Sequence, residues 1–180
     1  MGEGRARVKP RSRRVRFPPV RGIDAAMRDT KEDGVKDMGA VLFVCLGNIC
    51  RSPLAEAAFR LEAERVGLMV EVASAGTGCW HVGEAPDRRA RAVARRHGVD
   101  IDHYQARQVE AADFHRFDHV VALDRANLAA LEALRPEGAR ARLSLLLDHV
   151  PGRACEAVAD PYYISDSALD ITLSDVTAGA

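Results

Sequence analysis

A cysteine and an arginine with five residues between them form the part of the sequence best suited to chemistry. Cys45 ends an apolar run, and Arg51 stands directly before Ser52-Pro53, a pair typical of a helix start. A strand end followed by a helix N-terminus is a common anion site, because loop N–H groups and the helix dipole both attract negative charge. The same field favours a thiolate at Cys45, the reactive form of a cysteine. The segment therefore predicts a phosphate cradle that contains a nucleophile.

Polar side chains of this loop suit a bound phosphate. The Arg51 guanidinium offers a planar fork for two phosphoryl oxygens, Ser52 would donate its hydroxyl to the Cys45 thiolate, and Asn48 would brace the loop backbone. The opposing interpretation makes Cys45 a small buried residue and Arg51 a solvated one. Their spacing between an apolar run and Ser-Pro favours the phosphate site. A metal site is a weaker interpretation, because Cys45 and Cys50 have no matching Cys/His pair.

Alternating apolar runs and helical patterns place the loop in an α/β fold. The expected strands are 40–45, 69–74, 119–123 and 142–147. We expect three helices: one that starts with Ser52 as its N-cap, one over 87–96 and one over 127–134. The short connections between these elements imply a parallel sheet with helices on both faces.

Composition limits the remaining classes. The chain has 180 residues, 47% of them hydrophobic and 29% charged, which fits one globular domain. No run approaches the roughly 18–20 apolar residues of a membrane helix, so we expect neither a membrane nor a secreted protein. Four cysteines with two close together suit reactive thiols in a reducing compartment, and we expect a cytoplasmic location.

The N-terminal segment is strongly basic. Residues 1–21 contain eight Lys or Arg and one acidic residue, although the whole chain has a net charge of zero. We expect residues 1–38 to form a disordered basic extension, whose contact with nucleic acid would be non-specific at most. Met38 precedes the first strand and leaves open a later start of translation. The acidic residues between 24 and 33 argue against a transit peptide.

The segment from Val41 to Pro53, VLFVCLGNICRSP, closely resembles the signature of low-molecular-weight protein tyrosine phosphatases. The likeness spans Gly39 to Tyr163 and includes the motifs Ser74-Ala-Gly-Thr-Gly, Trp80-His-Val-Gly, Ala106-Arg-Gln and Asp160-Pro-Tyr-Tyr. It implies a flavodoxin-like four-stranded parallel sheet and the hydrolysis of phosphotyrosine-type monoesters through a cysteinyl phosphate, without metal or cofactor. The implied partners are phosphotyrosine proteins or small aryl phosphates, with inorganic phosphate as product.

The resemblance also implies roles for single residues. Cys45 is the nucleophile, Arg51 binds the phosphate and Asp160 is the general acid, which must protonate a phenolate as it leaves. The implied substrate-binding residues are Leu46, Gly47, Asn48, Ile49, Cys50, Ser52, Ser74, Trp80, Tyr162 and Tyr163. Among them, Asn48 and Ser74 brace the loop, and Cys50 can form a reversible disulfide with Cys45.

The sequence departs from the family after a phosphatase domain at 39–163. Residues 164–180 contain no Lys or Arg, and Leu169, Ile171 and Leu173 alternate with polar residues, which predicts a strand. We therefore expect an atypical tail, and a weakened fold, where the family has a closing helix. Two alternatives to a phosphatase remain: an arsenate reductase of related fold, although Cys79 and Cys155 lack a recognisable arrangement, or a non-catalytic phosphate-binding protein with a damaged C-terminus.

Overall fold

The computed structural model of the protein describes residues 39–162 and 166–180. The strands are β1 Ala40–Cys45, β2 Glu71–Gly76, β3 His119–Ala122 and β4 Arg142–Leu145. The helices are α1 Arg51–Val66, α2 Arg88–Arg96, α3 Asp113–Arg116, α4 Arg125–Leu134 and α5 Asp166–Gly179, with a 3₁₀ turn at Leu146–His149. The expected basic extension 1–38 and Tyr163 lie outside the described residues. Within the two described ranges, no helix is both long and apolar enough to cross a membrane.

The four strands form one parallel sheet in the order β2-β1-β3-β4. All six residues of β1 are buried, because this central strand has neighbours on both sides and helices over both faces. Val41 and Phe43 face a core shared with α1, α2 and α5, whereas Leu42 and Val44 face a core shared with α3 and α4. The predicted α/β flavodoxin-like fold is confirmed.

The strand order creates a crevice at the carboxyl end of β1. The chain passes from β1 to β2 on one side of the sheet and then returns to β3 on the other side. Ligands bind in open α/β sheets at such a point, because the loops that follow the two strands diverge there. The loop 46–50 after β1 and Asp124 after β3 therefore meet in one place.

Element boundaries differ from the prediction at several points, and α4, for example, begins at Arg125 rather than at residue 127. Strand β2 is shifted by two residues from the expected 69–74, and β4 ends at Leu145 because the next residues turn into the 3₁₀ segment. The prediction that Ser52 caps α1 was wrong, since the helix begins at Arg51 and Cys50 stands at its N-cap without a side-chain hydrogen bond. The Ser52 hydroxyl instead lies beside the Cys45 sulfur.

The strand predicted for the tail was also wrong. Residues 166–179 form helix α5, which packs against α1, α2 and the 3₁₀ turn. Leu169, Leu173 and Val176 are buried at helical spacing, while Ile171, which completed the apparent alternation, is 60% exposed. The Thr172 hydroxyl donates to the carbonyl of residue 168, which satisfies this polar group inside the helix. A closing helix is therefore present, and the reason for expecting a weakened fold disappears.

Candidate active site

The loop between β1 and α1 is held in a tight conformation by the end of β2. Thr77 N donates to the Cys45 carbonyl at 2.9 Å, and the N–H of the next residue, Gly78, donates to the Leu46 carbonyl at 2.8 Å. A Cβ atom on Gly76 would lie 2.8 Å from the Leu46 carbonyl oxygen, so only glycine permits this close approach. Asn48 adopts a left-handed backbone with a φ of 54°, a conformation that asparagine tolerates well.

The Cys45 sulfur has two hydrogen-bond partners at the base of this loop. Its Sγ lies 3.0 Å from Ser52 Oγ and 3.3 Å from Asn48 N, and the residue is buried. The Ser52 hydroxyl has one proton, and its other acceptor is the Ala75 carbonyl at 3.2 Å. When the sulfur is a thiolate, the Ser52 hydroxyl can donate this proton to it in a hydrogen bond. Two donors are therefore available to stabilise the thiolate.

Asn48 connects the loop to the sheet. Its Nδ2 donates to Ser52 Oγ at 2.9 Å and to Ser74 Oγ at 3.0 Å, while its Oδ1 accepts from Arg107 N at 2.9 Å. Ser74 in turn donates to Glu56 Oε2 at 2.7 Å. The oxygen and the nitrogen of the amide both have partners, which fixes the left-handed backbone of the loop at Asn48.

Glu56 and its partners form a support that sequence reasoning missed. This carboxylate is buried on α1 and accepts from Arg60 Nη2 at 2.9 Å. Burial and the Glu56 charge raise the pKa of Tyr104 to about 12, so its phenol stays protonated. The available signal was the spacing of Ser52, Glu56 and Arg60 at every fourth residue, which places them on one side of a helix.

Arg51 is nearly fully buried and has two carboxylate partners. Its Nη1 donates to Asp124 Oδ2 at 2.5 Å and to the Val158 carbonyl at 3.2 Å, and its Nη2 donates to Asp160 Oδ2 at 2.8 Å. Burial alone would lower the pKa of Arg51, but the charges of Cys45, Asp124 and Asp160 raise it, so the guanidinium stays charged. These contacts orient its fork into the loop.

Asp124 is a second residue that sequence reasoning left without a role. Its Oδ1 accepts from Asn127 N at 2.7 Å and caps α4, while its Oδ2 holds Arg51. One carboxylate therefore joins the start of α4 to the Arg51 guanidinium. Its place directly after the third predicted strand was the available signal, because loops at strand carboxyl ends meet at this edge of the sheet.

Asp160 lies at the mouth of the site. Its side chain is 42% exposed, and its Oδ1 accepts from Tyr162 N at 3.1 Å. The following Pro161 is buried and restricts the backbone on which the carboxylate stands. The acid candidate is thus both open to a ligand and held by local bonds.

A pocket of about 330 Å³ brings most of the predicted residues together. Its lining residues are Cys45, Leu46, Gly47, Ile49, Cys50, Arg51, Trp80, His81, Asp160 and Tyr162. The predicted residues Asn48, Ser52 and Ser74 do not line the pocket, and their hydrogen-bonded side chains support the loop instead. Tyr163 is not described. His81 was not predicted; its Nδ1 lies 2.7 Å from Glu84 Oε2, and it stood unassigned in the Trp80-His motif.

Cys50 lies in the same pocket but differs from Cys45 in its environment. It is buried, and its burial, followed by the nearby charges of Asp87, Cys45 and Asp160, raises the pKa of this thiol to about 12. Cys50 is therefore a protonated thiol at neutral pH. All four cysteines of the chain are free.

The arrangement suits phosphoryl transfer from a monoester. A sulfur nucleophile, a buried guanidinium and a carboxyl group line one pocket, and its outer wall is apolar and aromatic. In the described parts of the chain, no group of three or more His, Cys, Asp and Glu side chains is placed to hold a metal ion. The thiol can attack, the guanidinium can bind oxyanions and the carboxyl group can move a proton.

Comparison with known proteins gives consistent matches. A family model described as low molecular weight phosphotyrosine protein phosphatase matches residues 40–179. The low molecular weight protein-tyrosine-phosphatase of Streptomyces coelicolor is 46% identical over 145 residues, which cover 78% of this chain and 88% of that protein. The Schizosaccharomyces pombe low molecular weight phosphotyrosine protein phosphatase is 44% identical over 126 residues, 68% of this chain and 80% of its own length. A solved structure titled drosophila arginine phosphatase has a TM-score of 0.73 and 31% identity, covering 77% of this chain and 91% of that one.

Proposed function

Since the chain belongs to the low molecular weight phosphotyrosine protein phosphatase family, and is therefore a phosphatase, we propose that it hydrolyses phosphotyrosine-type monoesters through a cysteinyl phosphate. The observation that supports this most is the meeting of the Cys45 thiol, the Arg51 guanidinium and the Asp160 carboxyl group in one pocket with an aromatic rim. The substrate would be a phosphotyrosine protein or a small aryl phosphate.

In the first step the Cys45 thiolate attacks phosphorus. Arg51 and the N–H groups of the loop bind the non-bridging oxygens, while the bond between phosphorus and the phenolic oxygen breaks. Asp160 gives its proton to that oxygen, so a neutral phenol leaves.

In the second step water attacks the phosphorus of the cysteinyl phosphate. Asp160, now ionised, accepts a proton from the water, and the bond between phosphorus and sulfur breaks. Inorganic phosphate leaves and Cys45 returns to the thiolate, with Ser52 and Asn48 N donating to it. Each step uses groups of this chain alone, so the reaction has no step that requires a metal or a cofactor.

The shape of the pocket favours an aryl substrate. Leu46 and Trp80 are exposed at its mouth, and Tyr162 stands on the side of Asp160. Flat apolar walls above a phosphate site suit an aromatic ring, which gains by stacking on Trp80. Because a neighbour is titled an arginine phosphatase, a phosphoarginine peptide is the natural competing substrate for the assay.

The test is turnover by Cys45→Ser and its matched control Cys79→Ser, whose cysteine is exposed and does not line the pocket. Cys45→Ser should lose turnover of p-nitrophenyl phosphate and phosphotyrosine peptide but still bind vanadate, because the cradle consists of loop N–H groups and Arg51. Cys79→Ser should keep full activity. Turnover retained by Cys45→Ser would refute the covalent mechanism, and faster turnover of phosphoarginine than phosphotyrosine would refute the aryl preference.

Other expectations about the chain remain proposals. An arsenate reductase is not favoured, since the relatives are named phosphatases and neither Cys79 nor Cys155 lines the pocket. The non-catalytic alternative rested on a damaged C-terminus, whereas α5 is a packed helix. A cytoplasmic location and merely non-specific nucleic-acid contact by the basic extension stand as expected from the sequence.

A further inference from the structure

The N-terminus of α2 joins the phosphate loop to the segment that contains Asp160. Asp87, the N-cap of α2, donates its N–H to the Ile49 carbonyl of the phosphate loop at 2.8 Å. Two residues later, Arg89 Nη2 donates to the Tyr162 carbonyl at 3.0 Å. One turn of helix therefore contacts both halves of the proposed catalytic machinery.

Arg89 is held in place by Asp87. The Arg89 Nε and Nη2 atoms each lie 3.2 Å from a carboxylate oxygen of Asp87, and Arg89 N donates to Asp87 Oδ1 at 2.7 Å. Partial burial opposes ionisation of Asp87, but the hydrogen bonds from Arg89 outweigh it, so the pKa of Asp87 is lowered. The Asp87 carboxylate is charged at neutral pH, and it holds the Arg89 guanidinium in the orientation that contacts the Tyr162 carbonyl.

The backbone of Tyr162 is bound on both sides of the residue. Its N–H donates to Asp160 Oδ1, and its carbonyl accepts from Arg89. The described chain between the 3₁₀ turn and Tyr162 contains no helix or strand, so the direction of the Asp160 carboxyl group depends on such individual bonds. Upstream, Val158 N donates to the Leu123 carbonyl at 2.8 Å, which anchors the other side of Asp160 to the sheet.

We propose that Arg89 is a positioning residue for the general acid, which it holds through the Tyr162 carbonyl at a fixed distance from the phosphate loop. This proposal rests on the proposed role of Asp160 as general acid. Without Arg89, the Tyr162 carbonyl loses this bond to α2, so the Tyr162 N–H that holds Asp160 Oδ1 is fixed less firmly, and with it the direction of the Asp160 carboxyl group. A displacement of about 1 Å costs on the order of a hundredfold in such a step.

The effect should depend on the leaving group. Phenolate needs a proton as it departs, whereas p-nitrophenolate is a good leaving group and needs it far less. Arg89→Ala should therefore lower kcat/KM for phenyl phosphate by about tenfold or more, and lower that for p-nitrophenyl phosphate only a few-fold. Vanadate affinity should stay close to that of the unchanged protein, because Arg51 and the phosphate loop are intact.

The experiment measures kcat/KM over a series of aryl phosphates for Arg89→Ala, for Asp160→Ala and for the double variant. Arg88→Ala is the matched control, since Arg88 is exposed on the same helix turn and is not a lining residue of the pocket. Arg89→Lys keeps one donor without the fork and should fall between the two. Arg89→Ala should add little to Asp160→Ala, because both changes remove the same proton transfer.

Each outcome has a definite meaning. A steeper dependence on leaving-group acidity in Arg89→Ala, absent in Arg88→Ala and not additive with Asp160→Ala, supports the proposal. Equal losses for phenyl and p-nitrophenyl phosphate, or full additivity with Asp160→Ala, would overturn it while leaving Asp160 as the acid. If Asp160→Ala itself shows no dependence on the leaving group, the proposed acid and its positioning residue are both rejected. If Arg89→Ala does not fold, a leaving-group dependence in Arg89→Lys equal to that of the unchanged protein overturns the proposal.

Discussion

Replacement of Leu169 by alanine tests whether α5 closes the fold as a packed helix. Leu169, on α5, is fully buried in the core that α5 shares with α1 and α2. The change removes three carbon groups at about 0.8 kcal/mol each, or roughly 2.4 kcal/mol of transfer free energy. The cavity left behind adds to this, so we expect the free energy of unfolding to fall by about 2–5 kcal/mol. Domains have about 5–15 kcal/mol in total, so the variant should still fold.

The assay is urea unfolding followed by circular dichroism, with Ile171→Ala as the matched control. Ile171 lies on the same helix but is 60% exposed, so its replacement should change the unfolding free energy by no more than about 0.5 kcal/mol. With a slope of about 2 kcal/mol per molar urea, the Leu169→Ala midpoint should fall by roughly 1–2.5 M. Equal small shifts in both variants would show that α5 is not docked and would refute the helical account of the tail.

Three further predictions follow from the phosphate loop and its surroundings. Gly76→Ala places a Cβ 2.8 Å from the Leu46 carbonyl oxygen, so both vanadate affinity and kcat/KM should fall by about tenfold or more; an unchanged affinity contradicts the close approach. Peroxide should inactivate the enzyme reversibly, and dithiothreitol should restore activity fully in the natural chain but incompletely in Cys50→Ser. Since the pKa of Cys50 is about 12, the rate at which Cys50 captures oxidised Cys45 as a disulfide should rise about tenfold per pH unit from pH 7 to 9. Identical recovery in both proteins would reject the disulfide. The unfolded chain loses the Cys50 and Tyr104 protons near their ordinary pKa values of 9.0 and 10.0, while the folded chain keeps them to about 12, so stability should fall as pH rises through this window. Urea titrations of Tyr104→Phe and Cys50→Ser should each show a slope smaller by up to about 1.4 kcal/mol per pH unit, and parallel curves would count against the raised pKa values.

Local patterns predicted the parts of the molecule that depend on neighbouring residues. The apolar run before Cys45, the helix that follows it and the alternation of strands with helices are short-range signals, and the parallel sheet follows from them. The phosphate loop is also local, because the five consecutive residues between Cys45 and Arg51 form it. The sequence therefore determined the fold class and most of the proposed pocket.

Only the tertiary structure decided which distant residues support that pocket. Asp124 is 73 residues from Arg51, and Glu56 on α1 is connected to the loop through Ser74 on β2. Each is an ordinary acidic residue in the sequence, and only the packing of strands and helices makes it a partner. The tail shows the same limit, since Leu169, Ile171 and Leu173 fit a strand by alternation alone. The burial of one side of α5 against α1 and α2 selects the helix, because the free energy of burial outweighs a weak local preference.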